Sequence, residues 1–502
     1  MSSAGPDVWG IATFAVYLVV IITVGLAARR YASRGLGEFF LGGRRLGTFV
    51  VATSAVVSGR SAWLLVGFTG LAYSRGASAV WAVVGYILVE LFLFAYVGRR
   101  LRRVTEASGD LTVPDYFASR FGGSVLVRAV AAVVILLFMV VYVAAQVRAG
   151  GEALAASFLH GADLELAWLA ADRVLPAVTL GVLLTAGIIL IYTVTGGYTA
   201  VAINDAIQAV VIITALVLLP LLAAIRFPQG VVATLEALSP RFVDPCSLSV
   251  GALVGFLGIG LGSPGNPHIL VRYMSARDPR MLSKAAFWGT FWNVVMAWGA
   301  LWIGLLGRAW FPGTLDLPGG KVEAVYPALA QHQFPGWLFG LVIASIFAAI
   351  LSTADSQLLV AASTVVRDLA QQTFARGREI PDDQAVRWSR LSVFGLLALA
   401  AVLGATVRDL IFTLVLFAWG GLGAAFGPPL LLALYWRRTS RWGALAGMVS
   451  GTLVTVVWRL TPSLKAIVLE LVPAFGVSLV LTALVSLLAP EPGARVTPAS
   501  DP

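Results

Sequence analysis

Charge is what this 502-residue chain has least of: 12% of its side chains are Asp, Glu, Lys or Arg, against 59% hydrophobic, and its mean hydropathy is +0.89. A water-soluble globule of this length needs about twice that share of charge for its surface, so such a fold is excluded. Cysteine is nearly absent. The lone Cys246 rules out a disulfide framework within the chain and any four-cysteine metal site. No phosphate loop, metal cluster or catalytic triad is visible, and the glycine-rich stretches lie inside apolar runs rather than between a strand and a helix. An enzyme and an organic cofactor are therefore not expected. The period-2 alternation of a membrane β-barrel is missing as well.

What is present is long apolar runs. Residues 8–28, 180–194, 209–225 and 466–489 each approach or exceed the ~20 residues that carry a helix across a ~30 Å hydrocarbon core. Apolar windows set against charged breaks give roughly thirteen spans, near 8–28, 47–73, 77–98, 126–157, 174–194, 198–224, 248–273, 283–310, 336–366, 388–406, 410–436, 441–460 and 465–489. The net charge of +10 does not point to nucleic acid, because the arginines sit in short loops. Alternate loops carry Arg29, Arg30, Arg34, Arg44 and Arg45; Arg99, Arg100, Arg102 and Arg103; Arg272, Arg277, Arg280 and Lys284; Arg376, Arg378, Arg387 and Arg390; and Arg437, Arg438 and Arg441. Intervening loops are acidic or mixed, as at Asp163, Glu165 and Asp172. The positive-inside rule then predicts a multi-pass inner (plasma) membrane protein with its N-terminus outside and its C-terminus in the cytoplasm. The first run lacks a preceding basic stretch and is followed by Arg29 and Arg30, which reads as a retained span.

Two spans carry helix breakers at bilayer depth: Gly59 in the second, and Gly260, Gly262, Pro264, Gly265 and Pro267 in the seventh. Freed backbone groups there are tolerable where they line a cavity or bind something, and broken helices at matching places in two halves mark inverted-repeat transporters. Close helix packing is the alternative reading of a single glycine such as Gly59. The expected organisation is a first span and basic loop over 1–46, five-helix repeats over 47–224 and 248–436, two further spans over 437–489, and a short tail over 490–502.

Four stretches carry a resemblance. Gly196 to Gln208, a glycine pair leading into Asp205-x-x-Gln208, is similar to the signature of the sodium:solute symporters. Ser352-Thr353-Ala354-Asp355-Ser356-Gln357 resembles that family's ninth-span sodium motif. Phe40 to Arg44 with Trp63 to Gly67, and Gly265 to Ile269 with Arg272-Tyr273-Met274, look like its proline-permease branch, as does Val113 to Phe117. The resemblance implies an all-α, LeuT-like fold with a five-plus-five inverted repeat, broken in spans 2 and 7. It implies sodium as coupling ion where spans 2 and 9 meet, and a small solute, an amino acid such as proline or an organic acid, held between spans 2 and 7. Sodium wants several oxygen ligands, which an unwound backbone and the hydroxyls of Ser352 and Thr353 can supply. The resemblance adds Ser58, Asp205 and Asp355 to the cation set, and Ser61, Trp63, Gly67, Tyr142, Asn266 and Pro267 to the substrate set, which Arg60 and Ser263 join as departures from the family at places facing the substrate.

Charges at depth are functional candidates by default. Asp205 is either in the sodium path or a helix cap near the interface. Asp355 is either in that path or a structural hydrogen-bonder. Glu90 and the Arg148/Glu152 pair, spaced i and i+4, read chiefly as neutralisation across and along helices, and His268 as a packed residue. The sequence departs from the proline permeases in the broken second span, where they carry an aspartate and this chain has Gly59 followed by Arg60. Arg60 has three readings: it takes the place of sodium by pairing with Asp205 or Asp355, it clamps a substrate carboxylate, or it snorkels to the interface. The first would make the protein a sodium-independent exchanger or uniporter. In the seventh span Ile259 and Ser263 stand where the permeases have aromatics, which implies a differently shaped pocket. A transporter-derived sensor is the rival from another class, but the stretch after Ala489 is too short for an output module.

Overall fold

In hydrocarbon a chain must satisfy its backbone N–H and C=O groups internally, so the apolar runs become helices. The structure, a computed structural model, describes residues 8–32, 36–159, 164–165, 174–228, 230–375, 380–407 and 409–491. Arg34, Asp163, Asp172, Arg376, Arg378 and the tail beyond Glu491 lie outside the described residues. Ten helices among the described residues are long and apolar enough to cross a membrane. The 48–108 helix reverses at Gly76 and supplies two crossings, and two shorter apolar helices, Ala177–Ile191 and Val250–Gly265, complete thirteen.

We number them α1 (Val8–Ala32), α2 (48–75), α3 (76–108), α4 (Val125–Ser157), α5 (177–196), α6 (Gly197–Ile225), α7 (250–274), α8 (Leu282–Trp310), α9 (Gly336–Phe374), α10 (Asp382–Thr406), α11 (Ile411–Tyr435), α12 (Arg441–Leu460) and α13 (Leu471–Leu488). A two-residue antiparallel pair, β1 (Leu164–Glu165) with β2 (Val174–Leu175), lies between α4 and α5. The reversal after α2 is shown by Tyr86, whose hydroxyl donates to the Gly59 carbonyl at 3.3 Å. The reversal between α5 and α6 falls at Gly197, whose φ of 59° is open to glycine at little cost. Helix starts carry the expected caps: Ser124, Ser249 and Ser440 each accept a backbone N–H from the first turn of α4, α7 and α12.

The helices form a five-plus-five inverted repeat, α2–α6 and α7–α11, with α1 before it and α12 and α13 after. Arginines of three loops gather at one face. Arg44 donates to the carbonyls of Thr105 (2.9 Å), Asp110 (2.7 Å) and Met274 (3.1 Å), and Arg102 to that of Ala276 (2.6 Å), so the loops before α2, after α3 and after α7 share this basic face. Arg272 does not belong to it. Its side chain is fully buried in the bundle, four residues past His268 on the helix that Pro267 restarts.

Both predicted breaks exist, but the second-span break is displaced. Gly59 is helical, and the residue off the helix is Ser61, with φ 49° and ψ −171°. A side chain in that region costs about 1–3 kcal/mol and persists only where its surroundings impose it; here the Ser61 hydroxyl accepts the Trp63 N–H at 3.1 Å. Gly59 is a glycine for another reason: a Cβ there would run into the Tyr86 hydroxyl and Ile269. In α7 the helix tightens over Ile259–Gly265 and is broken at Asn266, in extended conformation. Its glycines also serve packing, since Gly262 lies against the Trp419 indole and Gly265 against the Leu422 carbonyl.

Candidate functional site

Two polar clusters flank the break of α2. The first joins α2, α6, α7 and α9. Ser58 donates to the Ser352 carbonyl at 3.0 Å, and Thr353 donates in return to the Ser58 carbonyl at 3.0 Å. The Ser352 hydroxyl donates to the Ala349 carbonyl at 3.1 Å. Asp205 Oδ2 accepts from Ser54 at 2.5 Å and Ser58 at 3.3 Å. The five residues of the cation set, Ser58, Asp205, Ser352, Thr353 and Asp355, are thus gathered at this junction, all buried.

Sequence reasoning missed the residue at the centre of this cluster. The Arg272 guanidinium pairs with Asp205 at 3.1 Å. It also donates to Ser54 (3.1 Å), Ser58 (2.7 Å), the His268 carbonyl (2.6 Å) and Ser356. Asp205 therefore has a fixed cationic partner and is not an interfacial cap. Asp355 has none: Oδ1 accepts from Ser356 at 3.1 Å, and Oδ2 is buried without a partner. With every group ionised, two carboxylates face one guanidinium, and one negative charge is left over.

The second cluster, between α2, α3 and α8, contains Arg60. Its guanidinium pairs with Glu90 at 2.9 Å, donates to Asn293 Oδ1 at 2.9 Å through Nε, and lies 3.7 Å from the Tyr86 ring centroid. Asn293 donates to Glu90 as well. This corrects two of the three Arg60 readings. The side chain is buried and does not snorkel, and it does not reach Asp205 or Asp355, because the place beside Asp205 is filled by Arg272. Glu90, read as cross-helix neutralisation, has that role. The cluster is formally neutral. Arg148 and Glu152 pair along α4 at 2.9 Å, and Lys321 joins them at 3.0 Å.

The substrate set lies on facing walls. Trp63 stacks with Tyr86 (6.3 Å between centroids) and Phe412 (6.0 Å), and Tyr86 with Trp419 (5.4 Å). Trp419 meets His268 at 6.4 Å, and His268 meets Tyr142 edge-on at 5.8 Å. Tyr86, Phe412 and Trp419 had no sequence signal beyond being aromatic, while His268, read as a packed residue, joins them between Tyr142 and Trp419. Gln146, also missed, accepts the Ala62 N–H at 3.0 Å across the break. Gly67 is in contact with Phe412. Asn266 is partly structural, donating to the carbonyls of Gly262 (2.8 Å) and Trp419 (3.2 Å), and Pro267 restarts the helix. Some of the buried polar atoms without partners lie here: Trp63 Nε1, Gln146 Nε2, Ser263 Oγ, Asn266 Oδ1 and both ring nitrogens of His268. Groups left unsatisfied in a native interior want an explanation, and a polar ligand is one.

A slot of about 10 Å³ leads from the basic face to this junction, lined by Phe40, Thr112, Tyr198, Pro267, Arg272 and Ser356. From the opposite face a vestibule of about 270 Å³ descends to Val66, one turn beyond Trp63. A buried polar junction and an aromatic cluster, set beside helix breaks within a bundle of membrane-crossing helices, are the arrangement expected of a membrane transporter. The same architecture appears in solved structures. A Na+-coupled sialic acid symporter in a substrate-bound outward-open state superposes with a TM-score of 0.76 at 16% identity, over 96% of this chain and 98% of that one. Mhp1, a nucleobase-cation-symport-1 family transporter in a closed conformation, gives 0.56 at 13% identity over 90% and 93%. These likenesses establish the LeuT-like fold. The sodium:solute symporter family model matches residues 39–451, and the chain belongs to that family. The osmoregulated proline transporter OpuE of Bacillus subtilis is 33% identical over 489 residues, covering 96% of this chain and 95% of its own. A sodium/proline symporter of Staphylococcus aureus is 34% identical over 498 residues, covering 96% and 93%.

Proposed function

We propose that this protein is a sodium-coupled importer of a small zwitterionic solute, with proline the first candidate, working by alternating access between the repeats at 47–224 and 248–436. The observation that carries the reading is the charge imbalance at the Arg272 junction: one carboxylate, Asp355, lacks a cationic partner, and a monovalent cation would balance it. Curated relatives named as proline transporters, alike over nearly the whole chain, support the solute.

The chain's own groups suggest how coupling works. Ser352 Oγ is bonded to Ala349 O and Thr353 Oγ1 to Ser58 O, so two hydroxyls and two carbonyls are available at this junction. A sodium ion entering there would take the two hydroxyls as ligands in place of hydrogen bonds worth about 1 kcal/mol each, tying the α2 break to α9. Because Ser61 and Trp63 follow directly on that break, cation binding orders one wall of the solute chamber. Trp63, Tyr142, Ser61 and Ser263 then contact the solute, and Arg60, fixed by Glu90 and Asn293, supports the Tyr86 wall rather than gripping a carboxylate. On this reading Arg60 does not replace sodium. The arginine-rich face is assigned to the cytoplasm of the plasma membrane, with the N-terminus outside.

The test is uptake of labelled proline and a panel of amino and carboxylic acids into proteoliposomes under a sodium gradient, a proton gradient or neither. Sodium-driven uptake of a zwitterion supports the reading. Equal uptake without sodium, or uptake driven by protons alone, contradicts it.

A further inference from the structure

By the positive-inside rule, the face opposite the basic loops has little use for arginine. Several of the arginines it does carry are committed: Arg148 pairs with Glu152 at 2.9 Å, Arg459 with Asp409 at 2.7 Å, and Arg226 donates to the Gln333 carbonyl. Three others, Arg75, Arg241 and Arg308, form no ion pair among the described residues, and they converge. Arg308, partly buried in the last turn of α8, holds its guanidinium carbon 4.8 Å from the Phe242 ring centroid and 5.1 Å from that of Tyr73. Arg241, exposed, lies 5.4 Å from the same Phe242 ring. One ring thus carries a guanidinium from each of two segments. Arg75, also exposed, precedes Gly76, whose backbone lies so near that of Phe242 that a Cβ there would strike the Phe242 carbonyl. Phe242 is itself seated on Leu235 and on Leu305 and Ala309 of α8, so a small apolar core fixes the grouping.

An aromatic face holds the plane of a guanidinium but does not satisfy its edge, whose N–H groups still need acceptors. The Arg308 Nε is buried and has no partner. The acids of this neighbourhood are engaged by their own turns, Asp244 accepting the Cys246 N–H at 2.8 Å and Asp316 the Gly313 N–H at 2.7 Å. Three cations around one small core favour an anion with several oxygens and more than one direction of approach. Phosphate has both, and the planar two-donor edge of arginine matches it. The depth agrees, because α8 ends two residues beyond Arg308, at Trp310, where a membrane helix passes from hydrocarbon into the headgroup layer.

We propose that Arg75, Arg241 and Arg308 form a binding site for a phosphate group on this face. The chemistry is shared by free inorganic phosphate and by the headgroup of an anionic phospholipid. A phosphate held there joins the α2–α3 reversal of the first repeat, the end of α8 in the second and the connection between the two repeats. The site is independent of the transported solute and of the coupling ion. Its test uses full-length protein in a phosphate-free maltoside detergent, with binding of radioactive inorganic phosphate measured by equilibrium dialysis at constant ionic strength. Chloride, acetate and a short-chain phosphatidylglycerol serve as competitors. The expected result is saturable binding that chloride and acetate at equal concentration do not displace. Affinity should fall at least about tenfold in Arg308→Gln, and by less in Arg308→Lys, which keeps the charge but loses the paired donors. Arg241→Gln and Arg75→Gln, at exposed positions where folding is not at stake, should each weaken it, while Arg459→Gln on the same face should leave it unchanged. Displacement by phosphatidylglycerol assigns the site to lipid headgroups, and failure to displace assigns it to free phosphate. Absence of saturable binding, equal displacement by acetate, affinity unchanged in Arg241→Gln and Arg308→Gln, or an equal loss in Arg459→Gln would each overturn the proposal.

Discussion

Two buried arginines, Arg60 and Arg272, lie on either side of the α2 break and do opposite things. Arg60 is matched charge for charge, by Glu90, with Asn293 and the Tyr86 ring completing its surroundings. Arg272 is matched by Asp205 and then outnumbered in formal charge, because Asp355 adds a second carboxylate that forms no ion pair. A formally neutral cluster in a membrane interior is a structural rivet, whereas one with a carboxylate in formal excess is a candidate for binding a cation. The difference teaches that an intramembrane charge is understood through its sum with its neighbours.

The most severe test of that contrast is removal of a guanidinium. Arg272→Met would strand two carboxylates and free the hydroxyls of Ser54, Ser58 and Ser356. Losing one partner of a buried pair costs about 3–5 kcal/mol, and this variant is expected at or beyond the upper end, read as the largest fall in thermal unfolding temperature, with no uptake. Arg60→Met should cost about 3 kcal/mol by the same logic, but here Glu90→Met in the same chain should restore most of it, since the pair is self-contained. A double variant no more stable than Arg60→Met would show that Arg60 has partners beyond its own cluster.

Smaller effects sharpen the picture. Ser352→Ala with Thr353→Ala removes two hydroxyls, one of them bonded to the Ser58 carbonyl, and should cost about 1–2 kcal/mol in stability. Its larger signature is kinetic: the sodium concentration for half-maximal uptake should rise at least about tenfold, corresponding to about 1.4 kcal/mol of cation binding. Unchanged sodium dependence would remove these hydroxyls from the site.

How much of this was legible in the sequence depends on whether a feature is local. The spans, the glycine-proline break of α7 and the Ser352-Thr353 motif are written in consecutive residues, and they stand where expected. Arg272 was not legible. It ends an apolar run and precedes Arg277 and Arg280, so it reads as one more loop arginine. Only the helix restarted at Pro267 fixes the phase that turns it inward to Asp205, a residue 67 positions away in sequence. The displaced α2 break has a similar cause. Glycine is the usual mark of a break, but Gly59 is there to admit Tyr86, while the strained conformation falls on Ser61. The Arg60–Glu90–Asn293 grouping spans α2, α3 and α8, and no spacing rule links such positions.

The smallest expected effect lies outside the membrane. Burial, against the pull of the Phe412 N–H, raises the Glu323 carboxyl above the usual carboxylate range, and Glu152 nearby adds to the rise. A carboxyl raised in the folded state contributes stability that is full below its unfolded value of about 4.3 and is lost as pH rises through the folded value. Glu323→Gln keeps an acceptor for Phe412 and removes the charge. It should unfold at the same or a slightly higher temperature near neutral pH and flatten the pH dependence just above the ordinary carboxylate range. A marked loss of stability at neutral pH would mean that the negative charge itself holds the segment to α11.

The contrast between the two arginines comes down to where the cation sits, and equilibrium binding of radioactive sodium to the purified full-length protein measures that without needing the solute. Binding should be present in the wild type, retained in the Arg60→Met/Glu90→Met protein, and weakened at least about tenfold in the Ser352→Ala/Thr353→Ala protein. Sodium affinity unchanged by loss of both hydroxyls, or binding that vanishes with the Arg60–Glu90 pair, would contradict the account.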